Sequence, residues 1–473
     1  MLKKRIKYCV WVFALLIVSS SASAQADTTA VPIDTLYTVG KITITGNKKT
    51  KDVIILREIP FREGDQYTLK TLIEKFGDAH RQLLNTSLFH TAEVGIKNME
   101  GTIATIAVTL KERWYFFPTP FLKPVDRNLN QWIVEQKASL DRVNYGVKFI
   151  YYNATGRNDK LKGSFGSGYT RQFSLGYDRP YFDKNLKWGF STGFSVSKNR
   201  EVNYNTVHDK QVFVKDEDVF LSNFATIYTT LTYRRKIKTK HSLGFAYTSG
   251  EVSDTVVTLN SSYFKGGRQR VQFPDLLYAM SYFDVDFIPY PTKGYAAQIT
   301  FNKKGFGSAG VNVWQLGVQA SGTWHIGKKS FVNVGVYGGL KLPFKQPYYN
   351  QRFLGYGDVY MQGYEYYVID GVAGGYLKTG LYQELFNFKI KVPPLKKGKE
   401  PMRIPFRIVG KTYGNTGYVH NPQPGNNLLS NKMLYSGGFG VDIITFYDIV
   451  LKLEYSFNQL GENGLFLHRK SIF

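Results

Sequence analysis

Two rhythms of apolar and polar residues divide the 473-residue chain. From Leu36 to Arg113 short periods of different kinds follow one another. Residues 39–45 (VGKITIT) alternate as a strand does, and Gly46-Asn47 supplies the turn chemistry that ends it. Residues 51–59 (KDVIILREI) carry apolar side chains at helical spacing and stop at Pro60. A second helix is predicted over 68–84, where Leu69, Leu72, Ile73, Phe76, Ala79, Leu83 and Leu84 form one apolar stripe. Strands at 88–97 and 102–112, joined through Glu100-Gly101, complete the order β-α-α-β-β. This is a small α+β domain over residues 36–113.

From Trp114 to Phe473 the period is two. Ile449, Leu451, Leu453, Tyr455 and Phe457 alternate with Val450, Lys452, Glu454 and Ser456, and residues 294–302 and 330–340 repeat the pattern. An apolar outer face over a face holding Lys452 and Glu454 is what a lipid-facing strand around a polar lumen requires. A soluble sandwich would bury the apolar face instead, and periodicity alone does not separate the two. Sixteen strands can be placed, the first near 114–122 and the last near 464–473. Their connections mostly alternate between short turns (154–157, 235–240, 289–293, 327–329) and long loops (199–218, 252–275, 343–373), the exception being a long basic connection at 389–402 on the short-turn side. That alternation belongs to outer-membrane barrels. The fold class expected is an all-β transmembrane 16-stranded antiparallel outer-membrane β-barrel over 114–473, preceded by the one small α+β domain.

Composition agrees. With 34 Tyr and 34 Phe, aromatics reach 16% while apolar residues as a whole stay at 43%, a balance foreign to helical cores and to disorder. At the N-terminus Lys3, Lys4, Arg5 and Lys7 precede an apolar run from Tyr8 to Val18 and the small residues Ala22-Ser23-Ala24. This reads as a secretory signal peptide over 1–24, followed by a linker over 25–35. The run is short of the roughly 20 residues that a spanning helix needs. Cleavage would remove Cys9, the one cysteine, and lower the formal charge from +25 to +21. Disulfides and thiolate metal sites are then excluded from the mature chain.

Four segments of the first domain, ITITGNKKT, ILREIPFREGDQY, LLNTSLFHTAEVGI and VTLKERW, resemble a POTRA domain, with Gly46, Asn47, Gly64 and Phe89 at matching positions. The resemblance implies a periplasmic module that captures clients by pairing with an exposed strand edge. The long loop at 343–373 contains NQRFLGYGDVYMQGYEYYVIDG, which resembles the lumen-folding loop of the BamA/TamA outer-membrane assembly family. That family carries a hydrophobic-Arg-Gly-aromatic tetrad there; this chain has Met361-Gln362-Gly363-Tyr364. By the resemblance, the tetrad docks against carboxylates on the next two strands. Glu384 in LYQELF takes the first such place, and Asn415, two residues before Gly417, stands where the family has Asp. Gln362 is therefore expected to hydrogen-bond Asn415 or Glu384, a neutral replacement for an ion pair.

The family resemblance further implies a non-enzymatic protein without cofactor or metal that inserts or translocates client β-proteins at a seam between the first strand (Trp114, Phe116) and the last (Leu465, Phe473). Other readings are a two-partner-secretion-like translocator of one dedicated client and a passive outer-membrane pore. No spacing among the seven histidines suggests metal ligation, and no phosphate-binding glycine motif precedes a helix. The positive charge is assigned to outer-membrane lipid and lipopolysaccharide, with no nucleic acid partner. Unfolded β-barrel or secreted client proteins and accessory lipoproteins complete the expected partners.

Overall fold

The computed structural model describes residues 35–124, 131–135, 137–307, 310–392, 402–445 and 448–468. The signal peptide and Phe473 lie outside the described residues.

The N-terminal domain contains β1 (Leu36–Thr45), α1 (Asp52–Glu58), β2 (Gln66–Thr68), α2 (Leu69–Asn85), β3 (Phe89–Glu100) and β4 (Ile103–Glu112). Its sheet has the order β2-β1-β4-β3, with β1 and β4 parallel, so β3 is an edge. The predicted order is found with one addition. β2 was hidden because three residues are too few to show a period. Thr68 caps α2 by accepting from the Thr71 amide, 3.3 Å. The helix buries Leu72, Phe76, Ala79 and Leu83 against Ile54, Ile55, Phe89, Ile106 and Val108, while Leu69 and Ile73 stay exposed. The apolar stripe is thus narrower than its sequence pattern.

The described residues between Phe116 and His468 form a sixteen-stranded sheet, antiparallel throughout. Its strands are β5 (Phe116–Pro124), β6 (Val143–Tyr152), β7 (Lys160–Gly168), β8 (Thr170–Arg179), β9 (Trp188–Asn199), β12 (Ser222–Tyr233), β13 (Thr239–Val252), β14 (Arg270–Val285), β15 (Gly294–Lys304), β16 (Val313–His325), β17 (Ser330–Leu342), β20 (Ala373–Val392), β21 (Met402–His420), β22 (Met433–Thr445), β23 (Ile449–Asn458) and β24 (Asn463–His468). Alternation sorts the faces as lipid and lumen demand: Leu453 and Phe457 are exposed, whereas Glu454 and Ser456 are fully buried.

The α+β domain closes one mouth. Its core runs on into Tyr181 and Leu186 of the β8–β9 turn. Arg234, in the β12–β13 turn, reaches buried Glu58 through Nη1 (2.6 Å) and Nη2 (3.0 Å). Asn85 accepts from the Ile288 amide, 3.2 Å, and Arg113 pairs with Asp448, 2.8 Å. Asn153 of the β6–β7 turn donates to Thr50, whose hydroxyl donates to Glu112.

At the opposite mouth a hairpin, β10 (Glu201–Val207) and β11 (Lys210–Lys215), turns through His208 and Asp209, both at positive φ. The long loop at 199–218 is therefore structured. Asp209 accepts from the Leu428 amide and donates its own amide to Asn427, joining the hairpin to the β21–β22 loop. Tyr348, from the short helix α3 (Tyr348–Gln351) of the 343–373 loop, donates to Asn203, 2.6 Å.

Beyond Gln383, β20 pairs only with β21, and the two continue as a hairpin to Val392 and Met402. A bulge between Glu384 and Phe386 reverses the alternation there, so Phe386, Phe388 and Ile390 extend the exposed apolar face past the barrel rim.

Candidate functional site

The Gly-rich loop turns back into the lumen. β18 (Arg352–Leu354) and β19 (Ile369–Asp370) pair at its base, and Tyr356 donates to Asp370, 2.7 Å. At its tip Met361 and Tyr364 are buried with Val419, Leu429 and Leu434. Met361 packs on Gly417, where an added Cβ would come 3.2 Å from its sulfur. Gly363 has φ +88° and lies so close to Ser436 and Phe457 that a Cβ would sit 3.0 Å from the first and 3.1 Å from the second. Its amide donates to Glu365, 2.8 Å, and its carbonyl accepts from Asn458, 2.8 Å. Tyr364 donates to the Tyr435 carbonyl, 3.0 Å.

Gln362 does not meet the partners expected of it. Its amide donates to Glu454 on β23, 3.2 Å. Asn415 donates instead to Ser436, 3.1 Å, and Glu384 pairs with Arg407. The reason is axial level. Asn415 lies opposite Lys378 on β20, whereas Glu384 is six residues further along the strand, about 20 Å at strand rise. The motif locates the strand but not the depth at which the loop docks. The carbonyl oxygens of Gln362 and Asn415 are both buried without a hydrogen-bond partner among the described residues.

The cation missing from position 362 is on the wall. Lys411 of β21 stands 2.6 Å from Asp442 of β22 and 2.6 Å from Glu454 of β23, all three side chains almost fully buried. Tyr290 donates to the other oxygen of Asp442, 2.9 Å. His468 of β24 completes the row, with Nδ1 2.6 Å from Glu454 and Nε2 3.7 Å from Glu365 of the loop. Tyr360 stacks on the His468 ring at 4.8 Å and has Lys378 over its own ring at 4.4 Å, and Tyr366 meets Phe466 edge-on. One buried ionic cluster therefore ties the loop to the four consecutive strands β21 to β24. Buried charges with partners on several elements are costly to separate. Sequence reasoning missed Lys411, Asp442 and His468; the inward parity of Lys452 and Glu454 was the available signal, since charges facing inward in β23 need partners on its neighbours.

β24 and β5 are the two ends of the sixteen-strand order, and no pairing between them occurs among the described residues. Phe116 and Leu465 are exposed on these end strands, and Trp114 is exposed just before β5. In the α+β domain the four positions singled out are architectural. A Cβ at Gly46 would lie 1.9 Å from the Leu110 carbonyl oxygen, and Asn47 donates to the Thr50 carbonyl and to Asp52. Gly64, at φ +90°, donates to the Val39 carbonyl, and Phe89 is in the core.

Residues 37–113 match the POTRA family described as the surface antigen variable number repeat, and residues 153–376 match the Omp85 superfamily domain. The chain thus carries a POTRA domain and an Omp85 superfamily domain. The protein resides in the outer membrane with its POTRA domain in the periplasm. It is 28% identical over 188 residues to outer membrane protein assembly factor BamA of Neorickettsia risticii, a match covering 38% of this chain and 23% of that protein. The matched stretch thus spans about a quarter of the length of that curated relative. Among solved structures it is similar to BamA of Haemophilus ducreyi lacking POTRA domains 1–3, at 16% identity over 92% of this chain and 83% of that chain, TM-score 0.49. It is similar also to CdiB of Escherichia coli, at 11% identity over 96% and 91%, TM-score 0.47.

Proposed function

We propose that this protein is a non-enzymatic outer-membrane assembly factor that takes up unfolded β-barrel clients on its POTRA domain and passes their strands into the membrane at the seam between β5 and β24. The observation that carries the reading is where the sheet is closed and where it is not. One mouth is covered by the POTRA domain and the other by the β10–β11 hairpin with the loops at 343–373 and 421–432, while the end strands of the sheet do not pair among the described residues. A strand edge in lipid has no water to satisfy its backbone, so an incoming strand is the partner that relieves it. The edge strand β3 supplies the periplasmic half, since backbone pairing accepts many client sequences. The ionic cluster would hold the loop and β21 to β24 in register while the seam works. Outer-membrane lipid and lipopolysaccharide around the barrel, and accessory lipoproteins at the POTRA surface, complete the proposed setting.

The purified protein in proteoliposomes should accelerate the folding of a urea-denatured outer-membrane barrel, measured as the protease-resistant fraction over time. Solute flux without that acceleration would mark a passive pore. Passage of one secreted chain into the vesicle, with barrel clients unaffected, would mark a dedicated translocator.

A further inference from the structure

The hairpin that carries β20 and β21 past the rim is sorted by face. Its register pairs Phe386 with Ile408, Phe388 with Phe406 and Ile390 with Ile404, and between these pairs it sets Asn387 opposite Arg407 and Lys389 opposite Pro405. Among the described side chains one face is therefore wholly apolar, while the other carries Asn387, Lys389, Lys391 and Arg407. The rings of Phe388 and Phe406 stack with centroids 5.7 Å apart, yet Phe386, Phe388 and Ile390 stay 61%, 44% and 45% exposed. Arg407 is paired with Glu384, whereas Lys389 and Lys391 are exposed.

The apolar face continues the lipid-facing one. On β20 the exposed apolar residues run from Leu377 through Leu381 and Leu385 to Ile390. At about 3.3 Å per residue and a tilt of about 40°, that run covers about 30 Å along the membrane normal, more than the apolar band of about 25 Å that such barrels present. Trp324 donates to the Tyr295 hydroxyl, 2.9 Å, and both are exposed, as aromatic residues at the edge of that band are. The register carries Trp324 across Val332 to Leu381, so Phe386 to Ile390 lie beyond that level, towards the mouth that the POTRA domain covers.

Two features bear on where this face goes. A bulge bends its strand, and the one between Glu384 and Phe386 falls where pairing with β17 ends. Beyond it, among the described residues, β20 has β21 as its one neighbour, so the outer edge of the hairpin presents unpaired N–H and C=O groups. Hydrocarbon would leave these unsatisfied. The apolar face needs lipid and the open edge needs water, and the boundary between acyl chains and headgroups supplies both.

We propose that the β20–β21 hairpin is a membrane-surface anchor that lies along the periplasmic leaflet, with Phe386, Phe388, Ile390 and Phe406 at the acyl boundary and Lys389 and Lys391 on the headgroups of anionic phospholipid. Lysine stems are long enough to carry the ammonium past an apolar face to the headgroup level. The sequence over 389–402 has five lysines and one glutamate, a charge that suits an anionic surface and opposes packing against a second copy of the same hairpin. The proposal needs outer-membrane residence alone and is independent of the assembly reading.

The test uses the full chain in vesicles of phosphatidylcholine and phosphatidylglycerol in a three-to-one ratio, with a trace of phospholipid bearing a photoreactive diazirine near the head of its acyl chain. Labelled residues are mapped by mass spectrometry. Residues 386–390 and 404–406 should be labelled within threefold of Leu377 and Leu381, which face lipid on the same strand and serve as the control. Label that stops at Leu385 overturns the proposal, and so do crosslinks between two copies through Lys389 or Lys391 in place of lipid label. A lysine near an anionic surface is worth about fivefold in binding. In phosphatidylcholine alone the hairpin label should therefore fall at least threefold relative to the control, and Lys389→Gln with Lys391→Gln should remove the difference between the two lipid mixtures. Hairpin label that ignores headgroup charge overturns the assignment to anionic phospholipid.

Discussion

Replacing Lys411 by methionine isolates the charge at the centre of the cluster, because methionine keeps the apolar stem and approximate length while removing the ammonium. Lys411 is 2% exposed, Asp442 1% and Glu454 0%, so none of the three charges can be recovered by water without moving the wall. Breaking a buried pair by removing one partner costs about 3–5 kcal/mol. Here Glu454 would keep His468 and Gln362, and Asp442 would keep Tyr290, which places the expected loss near the lower end of that range. At about 1.4 kcal/mol per tenfold, a loss of about 3 kcal/mol is on the order of 150-fold in the folded-to-unfolded ratio. Urea titration of the protein in phospholipid vesicles measures it. Lys411→Arg should retain most of the stability, and the triple change Lys411→Met, Asp442→Asn, Glu454→Gln should be more stable than Lys411→Met alone, since it leaves no uncompensated charge. A Lys411→Met protein within about 1 kcal/mol of the native one, or a triple variant no better than the single, would refute the argument that charge compensation holds this wall together.

Three further outcomes follow from the same geometry. Gln362→Arg combined with Lys411→Met returns a cation to the loop beside Glu454 and should regain at least half of the stability lost by Lys411→Met in the same titration. Gly363→Ala introduces a Cβ at φ +88° against Ser436 and the Phe457 carbonyl, a strain of about 1–3 kcal/mol; protease added outside intact cells should then cut within 355–371 at least several-fold faster. Arg234→Met leaves the Glu58 carboxylate, 2% exposed, with Tyr181 as its remaining hydrogen-bond donor, so undocking of the POTRA domain should rise by about 2–3 kcal/mol, read as hydrogen exchange in α1 at least thirtyfold faster while β12 and β13 are unchanged.

What could be read from the sequence was set by how local each signal is. The sixteen strands were legible because lipid outside and polar lumen inside impose a period of two on every one of them, and Ile449 to Phe457 shows it without interruption. The loop tip was legible because Gly363 must adopt positive φ and lie against the wall, a constraint that leaves a residue type behind. Its partners were not. Glu384 and Asn415 were assigned from their order along the chain, while docking depends on depth along the barrel axis, a quantity that accumulates over strand lengths, register and bulges such as the one at Glu384 and Phe386. The β10–β11 hairpin escaped for a different reason. His208-Asp209 is not the Asn-Gly or Asp-Gly pair that marks a two-residue turn, although the alternation of Val202, Tyr204 and Thr206 around it was present.

The position of the cation bears on how such a seam can be both firm and open. An arginine on the loop would make the loop itself the carrier of the charge, so that undocking the loop would strand carboxylates on the wall. With Lys411 on β21, the pairs to Asp442 and Glu454 are made wholly among barrel strands and survive if the loop moves; the loop adds Gln362 to Glu454 and Glu365 to His468. The wall behind β24 is then braced independently of the loop, and the loop can respond to what enters the lumen without loosening the strands that precede the seam. Firmness is thus placed on the β21–β24 side. This division predicts that destabilising the cluster should impair client folding and barrel stability together, whereas undocking the loop should leave the pairs of Lys411 to Asp442 and Glu454 in place.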